Sequence, residues 1–582
     1  MKLYLNEIDS PSNLKQLPVT ALPALAEEIR QTLIRRITAT GGHMGSNLGF
    51  IEPTLALHYV FDSPHDKFVF DVSHQCYTHK ILTGRKAGFL NPERYHDFSG
   101  YTNPGESAHD PFIVGHTSTS VSLAVGLAQA RDLTGGTEKI VAIIGDGSMS
   151  GGEAFEGLDN AAMLDSQFMV VLNDNEMSIA PNQGGLYRNF AALRASHGQA
   201  ECNFFKALGF DYLYVEDGND TAQLVAAFER AKDLPHPVVV HLHTAKGKGL
   251  DWAEQNQEAG HWALPAAFDA DAYNKEEHYE SLTAAYLLEK IRRDPTVIAI
   301  SPATPSATGM TAAFRARAGR QFCDVGIAEE HAVAFASGLA KNGAKPVLLA
   351  LGMFLQRTYD QLAQDLALNR SAATILAFWG GLSGGDATHT GAFDMSMMSN
   401  IPHLICLAPV TKEEYFAMLD WSIEQQEYPV VIRVPGQVNA TGVTETFDAT
   451  MRQRYRIAEG GEKVAILGLG SFFGLGRQVK TLLQAQTGID GTLINPRCYS
   501  EVDEKTLTEL KSHHQLVVTL EDGILAGGFG EKVDRFYGPS TMKVLNFGGF
   551  KEFTDRIPLD ELYRRYHLTP EQIVADIVAT IK

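Results

Sequence analysis

The chain contains no apolar run of the roughly 18 residues that a membrane-spanning helix needs, so no membrane partner is expected. Its first residues, MKLYLNEIDSPSNLKQLP, hold no unbroken apolar core and no small-residue cleavage site, and a secretory signal is not expected. Cysteine is scarce. Cys76, Cys202, Cys323, Cys406 and Cys498 are scattered, odd in number and free of any CxxC, which reads as reduced thiols in a cytoplasmic protein. Positive charge is also short: 49 Lys and Arg face 69 Asp and Glu, a formal net charge of −20. Phosphate backbones are held by clustered Lys and Arg, so no nucleic-acid partner is expected, and anionic membranes are disfavoured for the same reason. The 44% hydrophobic and 20% charged residues are globular values and exclude wholesale disorder, a collagen-like chain and a coiled-coil rod. At roughly 150 residues per domain, 582 residues allow about three to four domains.

What is present is alternation. Short β-branched runs recur between amphipathic stretches, the pattern of α/β architecture with mainly parallel sheets flanked by helices. Three domains are expected, at 1–265, 280–440 and 460–582. Strand candidates in the first are KIVAII (139–144), FMVVL (168–172) and PVVVHL (237–242). The second has KPVLLAL (345–351), ATILAF (373–378), HLICLA (403–408) and PVVIRV (429–434). The third has KVAILGLG (463–470), GTLINP (491–496), QLVVTLED (515–522) and MKVLNF (542–547). The polar stretches FDADAYNKEEHYES and NATGVTETFDATMRQRYRIAEGGE read as linkers between them.

The most informative stretch is KIVAIIGDGSMSGGEAFEGLDNAAMLDSQFMVVLNDNEMSIAPN. A strand breaks at Gly145-Asp146-Gly147, an amphipathic run follows with Ala154, Phe155, Leu158, Ala161 and Ala162 at helical spacing, and a second strand ends at Asn173-Asp174-Asn175. Asp146 and Asn175 therefore both lie just past strand carboxyl ends of one βαβ unit, where open α/β sheets bind ligands. A carboxylate and an amide carbonyl suit Mg²⁺, with phosphates and backbone carbonyls completing an octahedron. The glycines admit close backbone approach and the helix start favours a diphosphate. GDG alone is a common surface turn; GDG paired with an Asn at the next strand end is far more specific.

With that pair the sequence resembles the thiamine-diphosphate motif of transketolase-like enzymes. Longer segments resemble one branch, the 1-deoxy-D-xylulose-5-phosphate synthase family: GGHMGSNLGF (41–50), SHQCYTHKILTGR (73–85), GHTSTSVSLAVGLAQAR (115–131), LNDNEMSIAPNQGG (172–185), DVGIAEEHAVAFASGLA (324–340), FLQRTYDQ (354–361) and THTGAFD (388–394). The resemblance implies three α/β domains, a homodimer, an active site between the first two domains, and thiamine diphosphate with Mg²⁺. It implies that pyruvate loses CO₂ and its two-carbon unit joins D-glyceraldehyde 3-phosphate, in a route to isoprenoid precursors, thiamine or pyridoxal. The cofactor carries the hard chemistry, and the protein supplies position, proton transfer and charge.

The resemblance also assigns roles. Glu329 matches the glutamate that hydrogen-bonds the aminopyrimidine, and such a carboxyl has to be shielded and partly protonated; its neighbour Glu330 fits an ordinary exposed helix-start acid. His43 and His389 are expected in substrate binding and proton transfer. His74 and His116 are placed at the cofactor, and His261 at the substrate or intermediate. Ser118, Gly147, Ser148, Asn175, Lys246 and Phe354 complete the cofactor set, although Lys246 fits a solvated lysine and Phe354 ordinary core almost as well. Asp146, Asn175 and the Met177 backbone are assigned to the metal; Arg357, Asp386 and Arg433 to the substrate. The cluster from His74 to His79 also has the composition of a zinc site, but no fourth ligand follows at usual spacing.

Departures from the family pattern gather around the acceptor. The family's D-R-A-G is Phe378-Trp379-Gly380-Gly381 here, without arginine. Its R-Y-P-R-G is Arg433-Val434-Pro435-Gly436-Gln437, without the second arginine. The tyrosine before F-L-Q-R is Leu351, and GLSGGDATH is one residue shorter than the family segment. The missing arginines are those associated with the substrate phosphate; each charged hydrogen bond is worth about 1.5–3 kcal/mol. Arg357, Arg433 and His389 stand as substitutes. The alternative reading is a paralogous thiamine-diphosphate transferase that uses another aldose or aldose phosphate. A transketolase proper, with a ketose donor, fits less well; so does a non-catalytic regulator, which should lose its cofactor machinery first, whereas Asp146, Asn175 and Glu329 are all kept. GLGSFFGLG (468–476) lacks the spacing of a dinucleotide fingerprint.

Overall fold

A computed structural model describes residues 3–582 of the chain. They form two compact units: one reaches Tyr273 and includes Gly326–Ala328, and the other comprises Asn274–Val325 and Glu329–Lys582. Among the described residues no helix is long and apolar enough to cross a membrane.

In the first unit, β1 (Gly42–His43) precedes five strands, β2 (Lys67–Phe70), β3 (Ile140–Gly145), β4 (Phe168–Asp174), β5 (Asp211–Val215) and β6 (Pro237–His243). These five form one parallel sheet in the order β2-β3-β4-β6-β5. A sheet covered on both faces needs strands that are apolar throughout, and every residue of β4 is buried. Alternation sorts the side chains. Val141, Ile143, Met169, Val171, Val238 and Val240 enter one core. Ala142, Ile144, Val170, Leu172 and Val239 enter the other. A last strand, β7 (Trp262–Ala263), pairs antiparallel with β1.

The second unit holds two sheets. β8 (Val297–Ser301), β9 (Phe322–Asp324), β10 (Lys345–Leu351), β11 (Thr374–Phe378), β12 (Ile405–Leu407) and β13 (Val430–Arg433) form a parallel sheet in the order β12-β13-β11-β10-β8-β9. β14 (Arg456–Glu459), β15 (Lys463–Gly468), β16 (Thr492–Asn495), β17 (His514–Ile524) and β18 (Lys543–Gly549) form the other, in the order β14-β16-β15-β17-β18, with only β14 antiparallel. The two sheets share a core: Ile300, Leu348 and Val431 cluster with Leu467, Ile494 and Val517.

Both stretches read as linkers carry structure. FDADAYNKEEHYES contains the helix Ala270–Lys275 and the start of the helix Tyr279–Arg293, and the second stretch supplies the edge strand β14. Their polarity reflects exposure, since β14 is mostly exposed. The helix after GDG begins at Gly152, because Gly147–Ser150 first makes a 3-10 turn. GLGSFFGLG ends β15 and enters a helix directly, with Gly476 against Leu493 and Ile466, so its glycines serve packing.

Leu467→Ala is expected to cost about 2–5 kcal/mol through the cavity it leaves. Under mild denaturant, hydrogen exchange should show β10 and β17 losing protection together. Loss confined to β17 would contradict a shared core.

Candidate functional site

In the first unit the site begins where β3 and β4 end. Gly145 is in register with Asn173, and the Asp146 amide donates to the Asn173 carbonyl at 3.0 Å. Asp146 is buried beside Asp174, and burial followed by that neighbouring charge raises its carboxyl well above the usual range. Asn182 Nδ2 donates to Asp146 Oδ2 at 2.7 Å, and Tyr187 OH donates to the Asp146 carbonyl at 3.1 Å. Asn175 Oδ1 accepts from the Met177 amide at 3.2 Å, which closes the turn after β4.

This arrangement fits a cation carrying a diphosphate. A Cβ on Gly147 would lie 2.6 Å from Ser178 Cβ, so the turn admits no side chain there. One on Gly151 would lie 2.1 Å from Ser118 Oγ. Asn182 Oδ1 is buried without a hydrogen-bond partner. Among the described residues no group of three His, Cys, Asp or Glu could hold a metal; the donors here are one carboxylate, one amide and backbone carbonyls. Ser118, at φ +73°, donates from Oγ to the Ser148 carbonyl at 2.8 Å, and its amide and that of Ser120 donate to buried Asp71 at 2.8 and 3.0 Å. Asp71 thereby ties the loop carrying His116 and Ser118 to the end of β2.

Pairing of β1 with β7 sets His43 opposite Trp262. The His43 ring then meets His74 at 4.7 Å, His261 at 5.4 Å and Trp262 at 4.6 Å, each edge to face. His74 and His261 are 5.4 Å apart, so three of the five expected histidines converge. Burial, then the charges of Lys246 and His74, hold His261 neutral, well below the usual imidazole range. Lys246 is itself buried and lowered to about 8, and its Nζ donates to the Ser178 carbonyl in the turn beside Gly147. Lys246 is therefore not a solvated surface lysine. The segment 74–79 divides: His79 turns to His58 at 2.8 Å and Asp110 at 2.7 Å, while burial pushes the Cys76 thiol up to about 12. It makes no single ligand set.

In the second unit, Glu329 opens the helix Glu329–Lys341 and is 4% exposed. Its Oε2 has no hydrogen bond and lies 4.0 Å from Arg357. Burial pushes its carboxyl up to about 7, against the weaker pull of Arg357. Arg357 and Phe354 both stand on the 3-10 turn after β10, and the Phe354 ring meets His389 at 5.9 Å, edge to face. Gly352 and Gly380 approach closely, which joins that turn to the end of β11.

Two expected substrate residues are otherwise engaged. Arg433 is buried: its Nε donates to Asp394 Oδ2 at 2.8 Å, Nη2 donates to the Asp522 carbonyl at 2.7 Å, and Nη1 faces Asp522 Oδ2 at 3.6 Å. Every arm is turned to this cluster, so the guanidinium presents no open fork in this structure. Asp386 spends Oδ1 on the Thr388 amide at 2.9 Å, the His389 amide at 3.2 Å and His389 Nδ1 at 3.3 Å. Burial opposes its ionisation, but His389 and Thr388 hold it down at about 2. Asp386 thus orients His389, together with Thr388 Oγ1 at 2.8 Å from the same Nδ1. Trp379, at φ +52° and 55% exposed, donates its indole N–H to Glu280 Oε1 at 2.8 Å. Gly436 has open space where a side chain would stand.

Sequence reasoning missed Asp71, Asp174, Asn182 and Tyr187. Asn182 lies inside a segment quoted for its resemblance, but its contact with Asp146 exists only once the chain folds back. Asp71 ends a strand too short, KFVF, to stand out by periodicity.

The family model described as 1-deoxy-D-xylulose-5-phosphate synthase matches residues 5–204 and 196–244. The transketolase pyrimidine binding domain matches 278–440 and the transketolase C-terminal domain 453–573. The chain is 38% identical to the 1-deoxy-D-xylulose-5-phosphate synthase of Symbiobacterium thermophilum, over 98% of this chain and 94% of that protein. It is 37% identical to that of Chlorobaculum tepidum, over 99% and 98%. It is 38% identical to 1-deoxy-D-xylulose-5-phosphate synthase 1 of Geobacter sulfurreducens, over 97% and 95%.

Glu329 sets a pH test on the unliganded protein. Its carboxyl ionises near pH 7 when folded, against an ordinary value of 4.5. Between those values the unfolded chain releases a proton that the folded one keeps, so stability falls as pH rises and the penalty is complete above pH 7. Glu329→Gln should match wild type near pH 5 and be the more stable by up to ~3 kcal/mol at pH 8. Parallel denaturation profiles at the two pH values would refute the raised carboxyl.

Proposed function

The chain belongs to the 1-deoxy-D-xylulose-5-phosphate synthase family and is a transferase of that type, and from that membership we propose that it decarboxylates pyruvate and transfers the two-carbon unit to D-glyceraldehyde 3-phosphate, giving 1-deoxy-D-xylulose 5-phosphate and CO₂. The observation that carries the reading is Glu329, a buried carboxyl pushed up to about 7 with one oxygen left without a hydrogen bond.

Thiamine diphosphate, when bound, supplies a nucleophilic carbon and an electron sink. Asp146, Asn175 and the Met177 carbonyl would hold Mg²⁺. The Gly147–Ser148 turn, Ser118, Lys246, His74 and His116 would receive the diphosphate, and Phe354 would pack against the aminopyrimidine. Glu329 holds and releases a proton near neutral pH, the range in which general acid–base groups work best. Neutral His261 offers a hydrogen bond without adding charge, beside His43. His389, with Asp386 on Nδ1, moves protons at Nε2. Exclusion of water around Glu329 strengthens each of these contacts. Domain bounds at 1–265, 280–440 and 460–582, a homodimer in the cytoplasm, and a place in isoprenoid precursor synthesis belong to the same proposal.

A second reading, with another aldose or aldose phosphate as acceptor, is favoured by one specific observation. The arginine that remains in the acceptor segments, Arg433, is bound to Asp394 and Asp522.

The test is product analysis by NMR and mass spectrometry with thiamine diphosphate, Mg²⁺, labelled pyruvate and a panel of aldoses. The first reading expects 1-deoxy-D-xylulose 5-phosphate at the highest kcat/KM. A higher kcat/KM with another acceptor selects the second. No pyruvate-dependent CO₂ release would sink both. Glu329→Ala should slow thiazolium hydrogen–deuterium exchange by about 10²–10⁴-fold; unchanged exchange would remove Glu329 from the chemistry.

A further inference from the structure

Strands β3 and β4 run parallel and in register, so Asp146 and Asp174 leave the sheet on the same side. Two carboxylates at one strand edge make a strong site for a bare divalent cation, because affinity rises with the number of charged ligands. They also repel a diphosphate. The structure holds one of the two away from that role. Arg194 Nη1 reaches Asp174 Oδ2 at 2.5 Å, and His241 Nε2 donates to the same oxygen at 2.9 Å. Asp174 Oδ1 accepts from the Glu176 amide at 3.2 Å. His241 is kept in this tautomer by Tyr212, whose hydroxyl meets Nδ1 at 2.7 Å. Arg194 is fixed in turn by Glu176 Oε2 at 2.9 Å.

The helix Leu186–Ala195 carries both grips. Tyr187 at its start bonds the Asp146 and Gly147 carbonyls at 3.1 and 3.3 Å, and Arg194, two turns on, bonds Asp174. Asp174 and His241 are almost wholly buried, whereas the Arg194 side chain is 14% exposed. This set is more than a fold restraint: it neutralises one carboxylate of the pair and leaves the other beside Asn175.

We propose that Arg194 and His241 act as positioning residues that withhold Asp174 from the cation, so that the Asp146–Asn175 site takes a divalent cation together with a diphosphate in preference to the bare cation. The inference rests on the functional reading above for the identity of the diphosphate.

The test uses two titrations of the full-length protein: Mn²⁺ alone, followed by electron paramagnetic resonance, and thiamine diphosphate at saturating Mg²⁺, followed by calorimetry. Arg194→Met releases Asp174. The expected result is Mn²⁺ bound about tenfold more tightly and thiamine diphosphate about tenfold more weakly, within the range for groups behind metal ligands. Adding Asp174→Asn should cancel the gain in Mn²⁺ affinity, since the gain needs the carboxylate. A purely structural role would weaken both titrations in Arg194→Met, and that result overturns the proposal, as do two unchanged affinities. If Arg194→Met does not fold, His241→Gln loosens the same oxygen and is read in the same way. A wild type that does not bind thiamine diphosphate with Mg²⁺ defeats the functional reading, and this inference with it. A wild type that binds, with variants that do not shift, defeats this inference alone.

Discussion

Register in a parallel sheet leaves little choice about where strand-end side chains point, and the first unit is organised around that constraint. Gly145 opposite Asn173 puts Asp146 and Asp174 on one side, buried. A buried carboxylate is costly unless it is paired and hydrogen-bonded. Asn182, Arg194 and His241 meet that cost, from a loop, a helix and a neighbouring strand. The division of partners is uneven. Asp174 receives a guanidinium and an imidazole, while Asp146 receives one amide N–H.

The second unit treats buried carboxyls in two ways. Asp394 and Asp522 are matched by Arg433, and the chain around them is pared to glycine: a Cβ on Gly380 would meet Asp394 Oδ2 at 2.2 Å, and one on Gly381 would meet Asp522 Oδ2 at 2.3 Å. Glu329 has no matching partner; Arg357 stands at 4.0 Å. Burial raises the Asp394 and Asp522 carboxyls and Arg433 draws them back down, a pairing that serves structure. An acid buried without full pairing keeps its proton into the neutral range and can exchange it. The raised carboxyl of Glu329 and the low one of Asp386 thus follow from environment alone.

Much of this was legible in the residues. The long buried strands β4, β6, β10 and β17 announce themselves as apolar runs, and Asp146 and Asn175 fall at strand ends as the pattern requires. The short strands β2, β5, β8 and β9 do not, because three to five residues carry too little periodicity. Convergence of His43, His74 and His261 was legible only through resemblance: β1 and β7 have two residues each, and their pairing is a long-range contact. Lys246 fitted a surface lysine as well as a site residue, and only the fold shows that it is buried. Arg433 shows the converse. Its charge and its position suggested a substrate contact, and nothing in the local sequence says that Asp394 and Asp522 fold onto it.

The Arg433 cluster bears on specificity. A guanidinium recognises phosphate when its fork is open to a bidentate contact. Arg433 offers none, because Asp394 holds Nε, the Asp522 carbonyl holds Nη2 and the Asp522 carboxylate faces Nη1. At Gly436 there is open space and no charge. At Trp379 the side chain is aromatic, largely exposed and held by Glu280. An exposed indole presents an apolar face with one N–H, suited to a carbon chain with hydroxyls more than to a dianion. His389 keeps its orientation through Asp386, whatever stands at Trp379 and Gly436. The groups proposed for proton transfer and those proposed to meet the acceptor's far end are therefore held by separate contacts in this fold.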